Sequence, residues 1–151
     1  MVKNSAMNLP AYPLTRDMQT RWTDNDAFGH MNNAVHYQFF DTMVNCTLRG
    51  WGCVQDAKAT TRFLVAETGC KYYAEMWYPD DVTVGLRIAH LGNSSVRYDL
   101  GLFRNQEQTP FAEGRLVHVN VDRGTGRPIP IAPDLRRQMA LLQAESDRRI
   151  S

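Results

Sequence analysis

This chain of 151 residues lacks three features: a surplus of charge of one sign, paired cysteines and long apolar runs. Its 17 Lys and Arg nearly balance 16 Asp and Glu, so the charge gives no general reason to expect nucleic acid or an anionic membrane as partner. Three cysteines, an odd number without metal-binding spacing, predict free thiols. No apolar run approaches the ~20 residues that span a bilayer. We therefore expect a soluble, cytoplasmic protein that is not exported.

The length fits one domain with one hydrophobic core, and we assign residues 1–151 to it. Residues 1–16 contain Pro10 and Pro13 and show no periodicity, which predicts a lead-in segment on the surface. Residues 145–151 are expected to form a polar tail.

Helical spacing of apolar residues begins at Asn33 and ends near the Gly50-Trp51-Gly52 stop. The apolar face is unusually broad and consists of two rows: Tyr37, Phe40, Val44, Leu48 and Trp51 in one, and Val35, Phe39, Met43 and Cys46 in the other. Only a narrow polar stripe remains, made of Gln38, Asp41, Asn45 and Arg49. A helix with so little polar surface is usually enclosed by other structure.

Alternating apolar residues predict strands that could enclose this helix. A short strand is expected at residues 17–23, and four or five more within residues 60–77, 82–88, 96–102 and 111–121. A short C-terminal helix is expected at residues 133–144. The order of elements predicts an α+β fold in which an antiparallel sheet curls around one long central helix.

Polar residues are concentrated between the first strand and the central helix. This stretch runs Asp24-Asn25-Asp26-Ala27-Phe28-Gly29-His30-Met31-Asn32-Asn33. A helix N-terminus offers unpaired N–H groups and a positive dipole end to an anion or a polarised carbonyl group. The stretch is therefore the first place to look for a functional site.

The same ten residues resemble the Asp-x-Asp-x-x-Gly-His-x-Asn-Asn signature of hotdog-fold acyl-CoA thioesterases, in the branch of 4-hydroxybenzoyl-CoA thioesterase. Residues 78–84 and 92–95 are similar to two of that branch's turns. The resemblance implies a hotdog fold, acyl-CoA as substrate, and a homodimer or dimer of dimers with active sites at the dimer interface. It also implies that Asp26 is the catalytic carboxylate, either as nucleophile or as general base for water.

Thioester hydrolysis needs an attacking oxygen and a group that stabilises the charge on the carbonyl oxygen. Asp26 fits the first role, although an aspartate here can also simply cap a turn. Backbone N–H groups at Asn33 and its neighbours are candidates for the second role. His30 is a signature residue for which proton transfer and a structural or carbonyl-orienting hydrogen bond are both open. Asp24 is expected to set the loop geometry.

Two more residues of the stretch have expected roles. Gly29 either permits a positive φ or gives room for the acyl group. Asn32 is, with Asn33, a candidate helix cap.

Coenzyme A carries phosphates, so cations are expected near the mouth of the site. Related enzymes carry basic residues in the turn before the fourth strand, whereas this chain has Gly92-Asn93-Ser94-Ser95. We expect donors from Asn93, Ser94 and Ser95 to replace some of those contacts. The candidate cations are Arg97, Arg123 and Arg127.

No metal and no cofactor are predicted, because His30 and His36 are not at metal-ligand spacing. Asp41 is interpreted as structural, and Glu67 either faces the site or is simply exposed. Three alternatives remain: hydrolysis of acyl groups carried by acyl carrier protein, a non-catalytic protein that binds acyl-CoA, and, less favoured, a hotdog dehydratase.

Overall fold

The protein is described by a computed structural model of residues 6–151. The described elements are β1 (Leu14–Gln19), α1 (Val35–Gly50), β2 (Thr61–Tyr72), β3 (Asp81–Leu91), β4 (Ser95–Arg104), β5 (Ala112–Asp122) and α2 (Pro133–Ile150). Two short 3₁₀ turns, Leu9–Ala11 and Trp22–Asp24, flank β1. The predicted order of strands and helices is confirmed.

All neighbouring strands pair antiparallel, in the order β1-β3-β4-β5-β2. The inner face of this sheet packs against α1, and together they form the hydrophobic core. Phe40, Val44 and Leu48 of α1 are at most 1% exposed, whereas Gln38 and Asp41 of the polar stripe are exposed. The predicted hotdog architecture, a sheet curled around one long helix, is confirmed.

The closest packing between helix and sheet is at Phe40. Its ring lies directly over Gly114 of β5, where an added Cβ would come within 2.3 Å of Phe40 Cζ. Glycine at this position therefore lets the helix axis approach the centre of the sheet.

The two edges of the sheet differ. β1 pairs with β3 only as far as Leu86. Beyond Leu86 the edge of β3 is covered by α2, and Ser146 Oγ of this helix accepts the Ile88 N–H at 3.2 Å. At the other edge β2 pairs only with β5, so one side of a 12-residue strand is left open among the described residues. Val65 of this strand is 52% exposed. The sheet thus has one edge partly covered by a helix and one long open edge.

Several predicted boundaries were wrong. β1 starts and ends earlier than the predicted strand at residues 17–23, and Trp22, within that predicted strand, is 76% exposed. The predicted lead-in segment is partly structural, because the ring of Tyr12 is buried over Gly85 and Gly101. The start of that segment, residues 1–5, lies outside the described residues.

The predicted polar tail is also helical. α2 extends to Ile150 instead of ending near residue 144, and β2 ends at Tyr72 rather than near residue 77. In the last turns of α2, Glu145 pairs with Arg148 and Arg149, and Ser146 is fully buried. These contacts explain why a polar sequence continues the helix.

None of the helices in residues 6–151 is long and apolar enough to cross a membrane.

We predict that Gly114→Ala lowers the free energy of unfolding by about 1–3 kcal/mol, because the new methyl group overlaps the Phe40 ring. Urea unfolding followed by circular dichroism measures the change. Gly50→Ala is the matched control, since a Cβ at Gly50 meets no atom within 4 Å. Equal free energies of unfolding for the two variants would show that the close contact between Phe40 and Gly114 does not make this position intolerant of a methyl group.

Candidate active site

The loop before α1 is closed on itself by backbone hydrogen bonds. Asn25 and Met31 form an isolated antiparallel bridge, and the Asp26 N–H donates to the His30 carbonyl at 2.8 Å. Gly29 has a φ of 82°, and an added Cβ would meet nothing within 4 Å. Of the two roles expected for Gly29, the positive φ is therefore confirmed, and room for the acyl group stays a prediction.

The two aspartates of the signature have different surroundings. Asp24 is buried and accepts the Arg21 N–H at 2.8 Å and the Arg21 guanidinium at 2.8 Å, so it holds the turn, as predicted. Asp26 is exposed, and its Oδ1 accepts the Phe28 N–H at 2.9 Å. Its Oδ2 has no hydrogen-bond partner in the described chain. Asp26 thus caps a local turn and still presents one free carboxylate oxygen.

Asn32 accepts backbone hydrogen bonds just before the start of α1. Its Oδ1 accepts the Ala34 N–H and its carbonyl accepts the Val35 N–H, both at 2.9 Å. The helix itself begins at Val35, with Ala34 as N-cap, one or two residues later than the predicted caps Asn32 and Asn33. These bonds occupy the N–H groups of Ala34 and Val35. The N–H of Asn33 has no acceptor within residues 6–151 and remains available.

A cavity of about 360 Å³ lies beside this helix start. It is lined by residues from the loop, from the first turn of α1 and from the end of β2 and the segment after it: Asp26, Phe28, His30, Met31, Asn33, His36, Tyr72, Tyr73, Ala74, Glu75 and Met76. The structure thus brings Asp26, His30 and Asn33, the three predicted catalytic residues, to one cavity.

Glu75 and Tyr72 belong to this site although their roles were not predicted. Glu75 Oε2 lies 3.0 Å from His30 Nε2 and orients the imidazole ring. Tyr72 Oη donates to the Asn33 carbonyl at 2.7 Å, which fixes the peptide next to the free N–H. Burial raises the pKa of Tyr72, so its hydroxyl keeps the proton that it donates. No sequence pattern marks either residue, because each meets its partner only in the folded chain.

His36 was considered only as a metal ligand in the sequence, yet it lines the cavity. Its ring is 3% exposed and packs edge-on against Tyr72. Burial lowers the pKa of His36, an effect partly offset by the nearby carbonyls of Asn32 and Asn33, so the ring is neutral at pH 7. A sequence signal existed: His36 is four residues before Phe40 and starts the buried row of α1.

The other predicted binding residues lie away from Asp26 in the same protomer. Asn93, Ser94 and Ser95 form the β3–β4 turn, where the carbonyls of Asn93 and Ser94 accept the N–H groups of Ile131 and Asn120. Arg97 is on the outer face of the sheet, paired with Asp99 at 3.1 Å. Arg123 and Arg127 are exposed after β5. None of these residues, predicted as substrate contacts, lines the cavity of this chain.

The two remaining carboxylates are also outside the cavity. Glu67 is exposed on the outer face and pairs with Arg115 at 2.9 Å, which agrees with the simpler of its two expected roles. Asp41 is exposed on α1 and accepts the Asn45 side-chain amide at 3.1 Å, which agrees with a structural role. All three cysteines are free thiols, as predicted.

A long helix enclosed by an antiparallel sheet is the hotdog fold, and the comparisons with known proteins identify the chain as a thioester hydrolase of that fold. The chain belongs to the thioesterase-like superfamily, whose model matches residues 20–139. The branch of 4-hydroxybenzoyl-CoA thioesterase stays a prediction.

Solved structures agree with this assignment. The PA5185 protein of Pseudomonas aeruginosa strain PAO1 is 41% identical, with a TM-score of 0.86 over 91% of this chain and 96% of that chain. A predicted thioesterase from Bacillus stearothermophilus is 27% identical, with a TM-score of 0.77 over 85% and 94%. SAV2348 from Staphylococcus aureus, solved in complex with CoA, is 18% identical, with a TM-score of 0.80 over 86% and 83%, and shows the same fold.

We predict that Asp24→Ala lowers the free energy of unfolding by about 1–3 kcal/mol, because it leaves the Arg21 N–H without its acceptor. Asp26→Ala should cost less than about 1 kcal/mol, since its carboxylate is exposed. Chemical unfolding of both variants gives the comparison. Similar losses for the two would contradict the division of roles between the two aspartates.

Proposed function

We propose that the protein is an acyl-CoA thioesterase that hydrolyses a thioester to a free acid and coenzyme A. The observation that carries this proposal is that Asp26, which keeps one carboxylate oxygen free, and Asn33, whose N–H has no acceptor within residues 6–151, line the same cavity. The CoA bound by SAV2348, which shares the fold, favours coenzyme A over acyl carrier protein as the acyl carrier.

Asp26 supplies the attacking oxygen in one of two ways. As general base it takes a proton from water while the water oxygen bonds to the thioester carbon. As nucleophile it forms a mixed anhydride itself, which water then hydrolyses. In both cases the C–S bond breaks and the electron pair leaves with the thiolate, which needs little help because a thiol is a much stronger acid than an alcohol and its anion a correspondingly weaker base. Single turnover in ¹⁸O-labelled water distinguishes them, since only the nucleophile places label in Asp26.

The Asn33 N–H, at the positive end of α1, stabilises the negative charge that develops on the carbonyl oxygen. The carbonyl of the donor's own peptide, that of Asn32, accepts the Val35 N–H, and Tyr72 holds the carbonyl of the next peptide, that of Asn33, so the donor needs little reorganisation during the reaction. His30 has its Nε2 held by Glu75 and orients the carbonyl or the water. These roles make the helix start the electrostatic centre of the reaction.

We also propose that the active unit is a homodimer formed through β2. Beyond Phe63, whose N–H is bonded to Gln55 Oε1, the edge of this 12-residue strand pairs with no other strand, and the exposed Leu64 and Val65 add apolar surface beside it. Unblocked edges of this length invite pairing with another strand. A second copy related by a two-fold axis provides an antiparallel strand of identical length.

Asp26→Asn should lower kcat by at least about a hundredfold, the size expected for loss of a general base or nucleophile. Thiol release from acetyl-, hexanoyl-, palmitoyl-, benzoyl- and 4-hydroxybenzoyl-CoA measures the effect and ranks the acyl groups. Asp41→Asn is the matched control, because Asp41 is an exposed carboxylate outside the cavity. A variant with near wild-type rates would refute the mechanism. If the wild type binds acyl-CoA without releasing thiol, the alternative of a non-catalytic acyl-CoA-binding protein is favoured. If it hydrolyses only acyl groups on acyl carrier protein, the alternative of an acyl carrier protein thioesterase is favoured.

Val65→Lys should convert the dimer to a monomer, because it places a charge on the open strand edge. Sedimentation velocity measures the molecular mass. Thr15→Lys, on the edge strand at the other side of the sheet, is the control and should stay dimeric. A monomeric wild type at micromolar concentration would overturn the proposed dimer.

A further inference from the structure

The two histidines of the Asp26 cavity are held in different ways. The side chain of His30 is 37% exposed, and its Nε2 lies 3.0 Å from Glu75 Oε2. His36 is 3% exposed, its Nδ1 is buried without a hydrogen-bond partner, and its Nε2 forms no hydrogen bond within residues 6–151. Buried polar atoms in native proteins nearly always have a partner, because leaving one without it is costly. The His36 ring therefore indicates a partner that enters the cavity.

The surroundings of His36 determine which ring nitrogen carries the hydrogen. The ring packs edge-on against Tyr72 and Phe111, with 4.7 Å and 5.8 Å between ring centroids. Burial lowers the pKa of His36, so the ring is neutral and has one N–H and one lone pair. The carbonyls of Asn32 and Asn33, which partly offset this effect, belong to the preceding turn, and a helical side chain turns Nδ1 towards that turn. Nδ1 therefore keeps the hydrogen, and Nε2 carries the lone pair.

The cavity thus has two hydrogen-bond acceptors that no donor of the described chain satisfies. One is Asp26 Oδ2, since only Oδ1 of this carboxylate accepts the Phe28 N–H. The other is His36 Nε2: the ring lines the cavity and its Nδ1 side is enclosed, so the open side is that of Nε2. A water molecule has two hydrogens and donates both. One water bound between the loop and the first turn of α1 satisfies both acceptors.

Hydrolysis needs a water whose lone pair is directed at the thioester carbon. A single acceptor leaves the water free to rotate about its hydrogen bond, whereas two acceptors fix both hydrogens and therefore the lone pairs. As general base, Asp26 takes the first hydrogen while the water oxygen bonds to the carbon. The second hydrogen stays on the oxygen and becomes the O–H of the acid product. A neutral His36 accepts a hydrogen bond from this second O–H and takes no proton.

We infer that His36 is a positioning residue that accepts the second hydrogen bond of the attacking water and directs the water's lone pair at the thioester carbon. The inference rests on the proposed function, with Asp26 as general base. It also separates the tasks of the two histidines, because His30, bound to Glu75, is left to orient the carbonyl group.

His36→Phe should lower kcat for acyl-CoA hydrolysis about tenfold, the size of one hydrogen bond, with KM changed less than about twofold. The new ring fills the same space but offers no acceptor. His36→Gln, whose amide oxygen accepts in place of Nε2, should recover most of kcat. His118→Phe is the matched control, because His118 is also a buried histidine with an unpartnered Nδ1 but does not line this cavity. An unchanged kcat in His36→Phe, or a rise in KM alone, would overturn the inference.

Methanol as a competing nucleophile separates positioning of the water from support of the fold. Methanol has a single O–H, which Asp26 accepts, and no second hydrogen for His36. Only water therefore loses a hydrogen bond in His36→Phe, and the ratio of methyl ester to free acid formed in aqueous methanol should rise about tenfold. His36→Gln and His118→Phe should keep the wild-type ratio. An equal loss of both products in His36→Phe would assign His36 to the fold of the site and would overturn the inference.

The wild type distinguishes failure of this inference from failure of the proposed function. If it releases no thiol from any acyl-CoA, the proposed function is refuted. If it releases thiol but ¹⁸O from water enters Asp26, thioester hydrolysis stands, and the inference, which needs Asp26 as general base, is overturned. If it releases thiol but forms no methyl ester, the values of kcat for His36→Phe and His36→Gln decide.

Discussion

Enclosure of α1 is the constraint on which the rest of the structure depends. The helix buries two apolar rows, and the sheet can approach it closely because β5 has glycine under Phe40. β4 and β5 lie in the interior of the sheet and supply much of the inner face against the helix. The enclosed helix presents its N-terminus at one end of the sheet, where loop and strand end converge. The position of the site thus follows from the packing of the core.

The elements of the fold were predictable because each depends on a local pattern. Strict alternation identified β3 and β4, and two apolar rows identified α1 with nearly correct bounds. The errors are at places where contacts with residues far away in the sequence determine the local structure. Tyr12 is held by Gly85 and Gly101, and the polar end of α2 by its contacts with β3 and the first turn. Local periodicity contains no information about such pairs.

The same distinction applies to the site. Asp26, His30 and Asn33 were found together because they are neighbours in one signature, and a single loop carries them. Glu75 and Tyr72 are about 40 residues away in the chain and reach the loop only through the fold.

The open edge of β2 has a consequence for how this chain tolerates mutation. In the proposed two-fold assembly a substitution in β2 changes both sides of the same interface, and close to the axis the two copies meet each other. Its effect on assembly is then doubled, whereas a change in β1, also present in both copies, does not touch that interface. Sequence drift should accordingly be slower along β2 than along the opposite edge, even though both are surface strands in the isolated chain.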